Sequence, residues 1–116
     1  MSYRIYLSGE IHTDWRDELK SACTGLDIEW LTPVTVHEAS DDVGDAVLGA
    51  QPSPFFRDHA AAKINGIRIQ GHIRSADLVI VRFGDKYKQW NAAFDAGWAA
   101  ALDKPYIVLH DESITH

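Results

Sequence analysis

Along the chain, short apolar runs with period two or no period alternate with longer stretches of helical spacing. Tyr3 to Ser8 (YRIYLS) is rich in β-forming residues and stops at Gly9, which predicts a first, central strand. Trp15, Leu19, Ala22 and Cys23 recur at helical spacing, so a helix is expected from about Trp15 to Thr24, capped by Thr13 or Asp14 and ended by Gly25. Leu26 to Leu31 alternates like a half-buried strand, and Thr32-Pro33 closes it. Asp77 to Phe83 (DLVIVRF) is the clearest strand, its unbroken apolar run fitting a strand covered on both faces of a parallel sheet. Tyr106 to Leu109 (YIVL) predicts a further buried strand after Lys104-Pro105.

The intervening segments differ in kind. Val34 to Pro54 has no periodicity and reads as a long loop with one helical turn around Asp45 to Leu48; such loops tend to carry function. Ser53-Pro54 starts a helix from about Phe55 to Ser75. Ile64, Ile67, Gly71 and Ile73 give that helix a core side, and Arg57, Asp58, Lys63, Arg68 and Arg74 a wet side. Gly84 to Gln89 is a polar loop, and Asn91 is positioned to cap the last helix. Strands alternating with helices imply right-handed crossovers in one domain, 1–116: an α/β three-layer sandwich with a parallel, flavodoxin- or Rossmann-like sheet. The ligand crevice is then expected beyond the C-terminal ends of the strands, where Gly9, Glu10, His12, Gly84 and Asp85 fall.

One stretch stands apart. Between Lys88 and Asp103 the only charge is Asp95, set among alanines, a glycine and large aromatics. A carboxylate in such surroundings has to be hydrogen-bonded, shifted in pKa, or both. That makes Asp95 the first candidate for chemistry, against the alternative that it satisfies backbone donors near a helix start.

Composition narrows the classes. A net charge of -6 argues against a nucleic-acid polymer as partner, while leaving a small nucleoside or nucleotide open. Cys23 is the single cysteine, no apolar run is long enough to span a membrane, and Met1 to Arg4 does not open a signal peptide, so a cytoplasmic protein is expected. Phosphate-binding glycine loops and the serine-hydrolase elbow are absent. The six histidines show no ligand spacing, so neither metal nor cofactor is expected; His37, Glu38, Asp41 and Asp42 remain the one conceivable metal cluster.

Asp95-x-Gly97-x-Ala99-x-Ala101-x-x-Lys104-Pro105 resembles the nucleoside 2-deoxyribosyltransferase superfamily, which shows Glu, the catalytic nucleophile, where Asp95 stands. Ser75-Ala76-Asp77 is similar to that superfamily's strand start, and Tyr6-Leu7-Ser8-Gly9 to its first strand and turn. The longer strings from Tyr6 to Arg16 and from Lys86 to Gly97 resemble its YtoQ branch over almost the whole chain. The resemblance implies a Rossmann-like sandwich that cleaves the N-glycosidic bond of a 2′-deoxyribonucleoside and passes the sugar to another base or to water. It also implies a homodimer or larger homo-oligomer and, in the family, one further helix past the position of His116, so that either the chain is shortened or that helix lies outside the sequence given.

On that reading Asp95 is the nucleophile, and Asp77 or Asp85 the acid or orienting partner. Tyr6 orients the carboxylate, Trp90 stacks on the base, and Asn91 shares a helix face with Asp95. Gly9, Glu10 and His12 line the substrate. Asn91 stands where the family has Gly, and the family's second acidic residue before this helix has no counterpart in register, Gln89 falling nearest. Glu10 after Gly9 would repel a phosphate, with His12, Arg16, Arg57 and Lys63 available to compensate. A transferase or N-glycoside hydrolase and a non-catalytic nucleoside- or nucleotide-binding module of the same fold are the two readings that follow.

Overall fold

The β-rich runs become strands and the periodic segments helices. The computed structural model describes residues 2–33, 54–85 and 90–113, those at 54–62 by their backbone alone. The described elements run β1 (Tyr3–Gly9), α1 (Trp15–Ala22), β2 (Ile28–Leu31), α2 (Pro54–Ser75), β3 (Leu78–Phe83), α3 (Trp90–Ala101) and β4 (Tyr106–His110). The strands form one parallel sheet in the order β2-β1-β3-β4, so β1 is internal as its pattern predicts. Tyr6 lies beside Val79, Ser8 beside Val81 and Gly9 beside Arg82. The chain divides into two compact units, Met1–Thr32 with His72–His116, and Pro33–Gly71. The first holds the sheet, α1, α3 and the last turn of α2.

Alternation along β1 sorts its side chains to opposite faces. On one face Leu7, Trp15 and Ile80 form a buried cluster, with Ile5, Leu19, Trp30, Leu78 and Leu109 packed against it. On the other lie Tyr6, Ser8, Val79 and Val81, and α3 packs there through Ala92, Asp95 and Ala99. Those three are spaced by three and four residues, one stripe of the helix. The sandwich is thus an α/β, Rossmann-like arrangement with α1 and α3 on opposite faces.

α3 ends by a backbone device. Asp103 takes a left-handed φ of 56°, its N–H bonds Ala100 O at 3.1 Å, and the Lys104 N–H bonds Ala99 O at 2.9 Å. This closes the last carbonyls as a Schellman-type cap does, and Pro105 prevents continuation.

Several expectations are corrected. Among the described strands β4 lies at the edge of the sheet, with Tyr106, Ile107 and Val108 exposed by 48%, 45% and 44%; its apolar run does not mark a buried strand, because β3 is the one described strand that flanks it. Ile67 is 70% exposed and Gly71 is exposed, so of the expected core side of α2 Ile73 is buried and Ile64 half-buried. Asp14 precedes α1 without a side-chain capping bond. Asn91 lies inside α3 and does not cap it. The loop expected over Val34 to Ser53, with its candidate metal cluster, lies outside the described residues, as does the stretch 86–89. No described helix is long and apolar enough to cross a membrane.

Two glycines are required by close approach. Gly9 ends β1 at φ 103°, and a Cβ there would overlap the Arg82 carbonyl. A Cβ on Gly84 would overlap the Glu10 carboxylate. Gly9→Ala combines backbone strain with a backbone clash and is expected to cost at least about 2 kcal/mol, read by urea unfolding. An unchanged unfolding midpoint would contradict this packing of β1 against β3.

Candidate functional site around Asp95

The alanines of α3 bring its backbone close to the sheet, and Asp95 is the polar side chain directed into that contact. Ser8 Oγ donates to Asp95 Oδ2 at 2.5 Å, and the two side chains are 0% and 5% exposed. Burial raises the Asp95 pKa above its ordinary 3.8, and the Ser8 hydrogen bond opposes part of that rise by favouring the charged form.

Tyr6 lies two residues before Ser8, on the same face. It is fully buried, and among the described residues its hydroxyl has no partner in good hydrogen-bond geometry, Ser8 lying nearest. Burial pushes the phenol well above its ordinary pKa and the Asp95 charge adds to the rise; Arg16 and the nearby Ser8 act against it. Tyr6 is therefore a neutral O–H donor held beside a carboxylate, and leaving such a donor unpaired costs about 1–3 kcal/mol. His72, from the last turn of α2, stacks on the Tyr6 ring with centroids 5.4 Å apart and planes at 24°. Burial lowers the His72 pKa, so the ring is neutral at neutral pH.

The turn after β1 is held by Arg16. Its Nε and one terminal nitrogen donate to Leu7 O at 3.2 and 3.1 Å, the same terminal nitrogen reaches Gly9 O at 3.3 Å, and the other bonds Glu10 O. Trp15 Nε1 donates to Glu10 O at 2.7 Å, and the Arg16 guanidinium lies 4.7 Å from the Trp15 ring centroid. Burial lowers the Arg16 pKa, opposed by Tyr6 and Glu10. Glu10 is itself 4% exposed, and its Oε1 accepts the His12 N–H at 2.6 Å.

The structure brings Tyr6 and Asp95 together with Ser8 on one face of the sheet, and places Gly9 and Glu10 at the C-terminal end of β1. It does not bring Asp77 there. Asp77 precedes β3, where its Oδ2 accepts the Arg4 N–H at 2.8 Å and its own N–H bonds Arg4 O at 2.7 Å. Asp95 touches Ser8, which pairs with Val81, so Asp77 sits four residues back along the strand, roughly 13 Å away. Strand direction explains the correction: an acid that opens a parallel strand lies at the end opposite the crevice. Asp85 is exposed just beyond the C-terminal end of β3. His12 and Asn91 are exposed, and Asn91 makes no hydrogen bond to Asp95 among the described residues. Trp90 is 73% exposed, and five residues of helix turn it about 140° from Asp95. Arg16, expected as a phosphate partner, is instead buried on backbone carbonyls.

Ser8 and His72 are the site members that the reading for function missed. Ser8 was legible in principle, since period two along β1 places it on Tyr6's face. His72 depends on where the α2 helix ends, which local spacing does not define.

A family model described as Nucleoside 2-deoxyribosyltransferase YtoQ matches residues 6–116. The chain is also similar to the Uncharacterized protein YtoQ of Bacillus subtilis (strain 168), at 42% identity over 118 residues, which cover 100% of this chain and 80% of that protein.

A raised carboxyl pKa means that the folded state holds the Asp95 proton more tightly than the unfolded chain does. Its stabilising contribution is full below the ordinary 3.8 and is lost as pH rises through the folded value. Asp95→Asn removes that loss. The variant is expected to melt about a few degrees above the wild type at pH 8, with the gap closing towards acid pH in thermal scans. A variant equally or less stable at pH 8 would contradict the burial argument.

Proposed function

The chain belongs to the YtoQ family of nucleoside 2-deoxyribosyltransferase-like proteins, and from that premise we propose that it cleaves the N-glycosidic bond of a deoxynucleoside-like small molecule, with Asp95 as nucleophile. The observation that carries the reading is the Asp95 carboxyl buried on the sheet, held by Ser8 and flanked by the unpartnered Tyr6 hydroxyl. In the step proposed, an ionised Asp95 oxygen bonds to the anomeric carbon as the bond to the base nitrogen breaks. The base leaves with that electron pair and takes a proton from solvent or from Asp85, the acid just beyond β3. An acceptor base nitrogen or a water oxygen then attacks the same carbon, loses its proton, and frees the carboxylate.

Aspartate is one methylene shorter than the family's glutamate. The close seating of α3 through Ala92 and Ala99 supports a shorter side chain in the same role. Tyr6 suits an orienting donor, because a neutral phenol next to a carboxylate fixes the lone pair that attacks. The expected partners are a small nucleoside or nucleotide and further copies of this chain. The half-exposed apolar residues of β4, together with Phe94 at 63% exposure, offer a surface for self-association.

The second reading is a nucleoside-binding module without turnover. It is favoured by the sealing of Asp95 and Tyr6, which are 5% and 0% exposed. A panel of deoxynucleosides, with and without acceptor bases, separates the two by chromatography of free base. Release is expected from the wild type and to fall at least about a thousandfold in Asp95→Ala. Binding without release across the panel would sink the enzyme.

The acid limb of kcat/KM is expected above the ordinary carboxylate value, because burial raises the Asp95 pKa. Ser8→Ala removes the hydrogen bond that favours the charged form, so the limb should move further up in pH. A downward move would show that a group other than Asp95 must lose its proton.

A further inference from the structure

The Tyr6 ring is set in place without help from its own hydroxyl. Among the described residues Oη has no partner in good hydrogen-bond geometry, although Asp95 and Ser8 are close enough to influence its proton. Arg16 acts on it as well, but that guanidinium donates to the carbonyls of Leu7, Gly9 and Glu10. A buried tyrosine is ordinarily fixed at both ends, by packing on its ring and by a bond to its hydroxyl. Here packing has to fix the ring, and so decides where Oη points. His72 supplies that packing on one ring face, with centroids 5.4 Å apart and planes at 24°.

His72 is itself held. It belongs to the last turn of α2, beside the fully buried Ile73. The Ala76 N–H bonds His72 O at 3.0 Å, and Ser75 Oγ donates to the same carbonyl at 3.2 Å. The chain then meets β1 at once: the Asp77 N–H bonds Arg4 O at 2.7 Å, and Asp77 Oδ2 accepts the Arg4 N–H at 2.8 Å. Arg4 lies two residues before Tyr6, so the imidazole and the phenol hang from one closed loop of hydrogen bonds. We infer that His72 is a positioning residue of this site, its ring holding the Tyr6 hydroxyl beside Asp95, where that hydroxyl can orient the carboxylate. The imidazole acts through Tyr6 and carries no proton in the reaction. The placement stands on these contacts; its effect on turnover rests on the nucleoside reading of the site.

Two measurements on the full chain test this, for His72→Phe, His72→Ala, Tyr6→Phe and the double variant Tyr6→Phe/His72→Ala. The first follows the Asp95 carboxyl titration by carbon NMR without ligand, its signal identified by its loss in Asp95→Asn. His72→Ala is expected to move that titration in the same direction as Tyr6→Phe, the double variant no further than Tyr6→Phe, and His72→Phe not at all. The second takes kcat and KM on a deoxynucleoside across pH. His72→Ala should lower kcat about tenfold with little change in KM, and the double variant should lose no more than Tyr6→Phe. His72→Phe, which keeps the stacked ring, should hold kcat within about twofold and leave the acid limb where it is. An Asp95 titration that His72→Ala does not move would overturn the inference, as would losses that multiply in the double variant. So would loss of the acid limb in His72→Phe, which would make the imidazole itself a proton carrier. A wild type that releases no base defeats the catalytic reading, and the titration then decides the placement of Tyr6 by itself. If His72→Ala does not fold, His72→Leu takes its position in the cycle, filling the space without a flat ring.

Discussion

A carboxyl group taken out of water has to find donors, and the arrangement around Asp95 follows from that need. The alanine stripe of α3 lets the helix approach closely, which buries Asp95, and the same closeness brings Ser8 within 2.5 Å. One hydroxyl does not replace a hydration shell, so the pKa stays raised. Burial therefore pushes the group towards the protonated acid while one hydrogen bond favours the charged form. That balance is a poor arrangement for stability and a usable one for a group that must alternate between charged and bonded forms.

The turn after β1 exists in this geometry because of charge placed under it. Arg16 gathers three carbonyls that the end of β1 would otherwise leave to solvent, and Trp15 adds an indole donor to one of them. Gly9 lets β1 approach the Arg82 backbone of β3, and Gly84 leaves room for the Glu10 carboxylate. The consequence is an end of β1 where the Arg16 guanidinium faces backbone carbonyls and the Glu10 carboxylate is buried against Gly84.

Much of this was readable before any coordinates. Strand period made β1 internal and parallel, and the lone charge of the alanine-rich segment singled out Asp95. What failed did so for definite reasons. Asp77 looked like an acid near a ligand strand, yet strand polarity carries it to the far end. The apolar run of Tyr106 to Leu109 looked buried, yet an edge position leaves it half-exposed; local pattern does not reveal how many neighbours a strand has. Ile67 had the right spacing for a core and the wrong surroundings. Arg16 looked like a surface cation, because nothing in the spacing announces that a guanidinium will fold back onto the turn that precedes its own helix.

The claim on which the rest depends is that the Asp95 carboxylate bonds to the sugar. Acid quenching during turnover of a deoxynucleoside, followed by intact-mass measurement and peptide mapping, tests it most directly. The account predicts a mass gain of one deoxyribosyl group located on Asp95 and lost in Asp95→Ala. Turnover with the adduct on another residue, or with no adduct at any quench time, would contradict it.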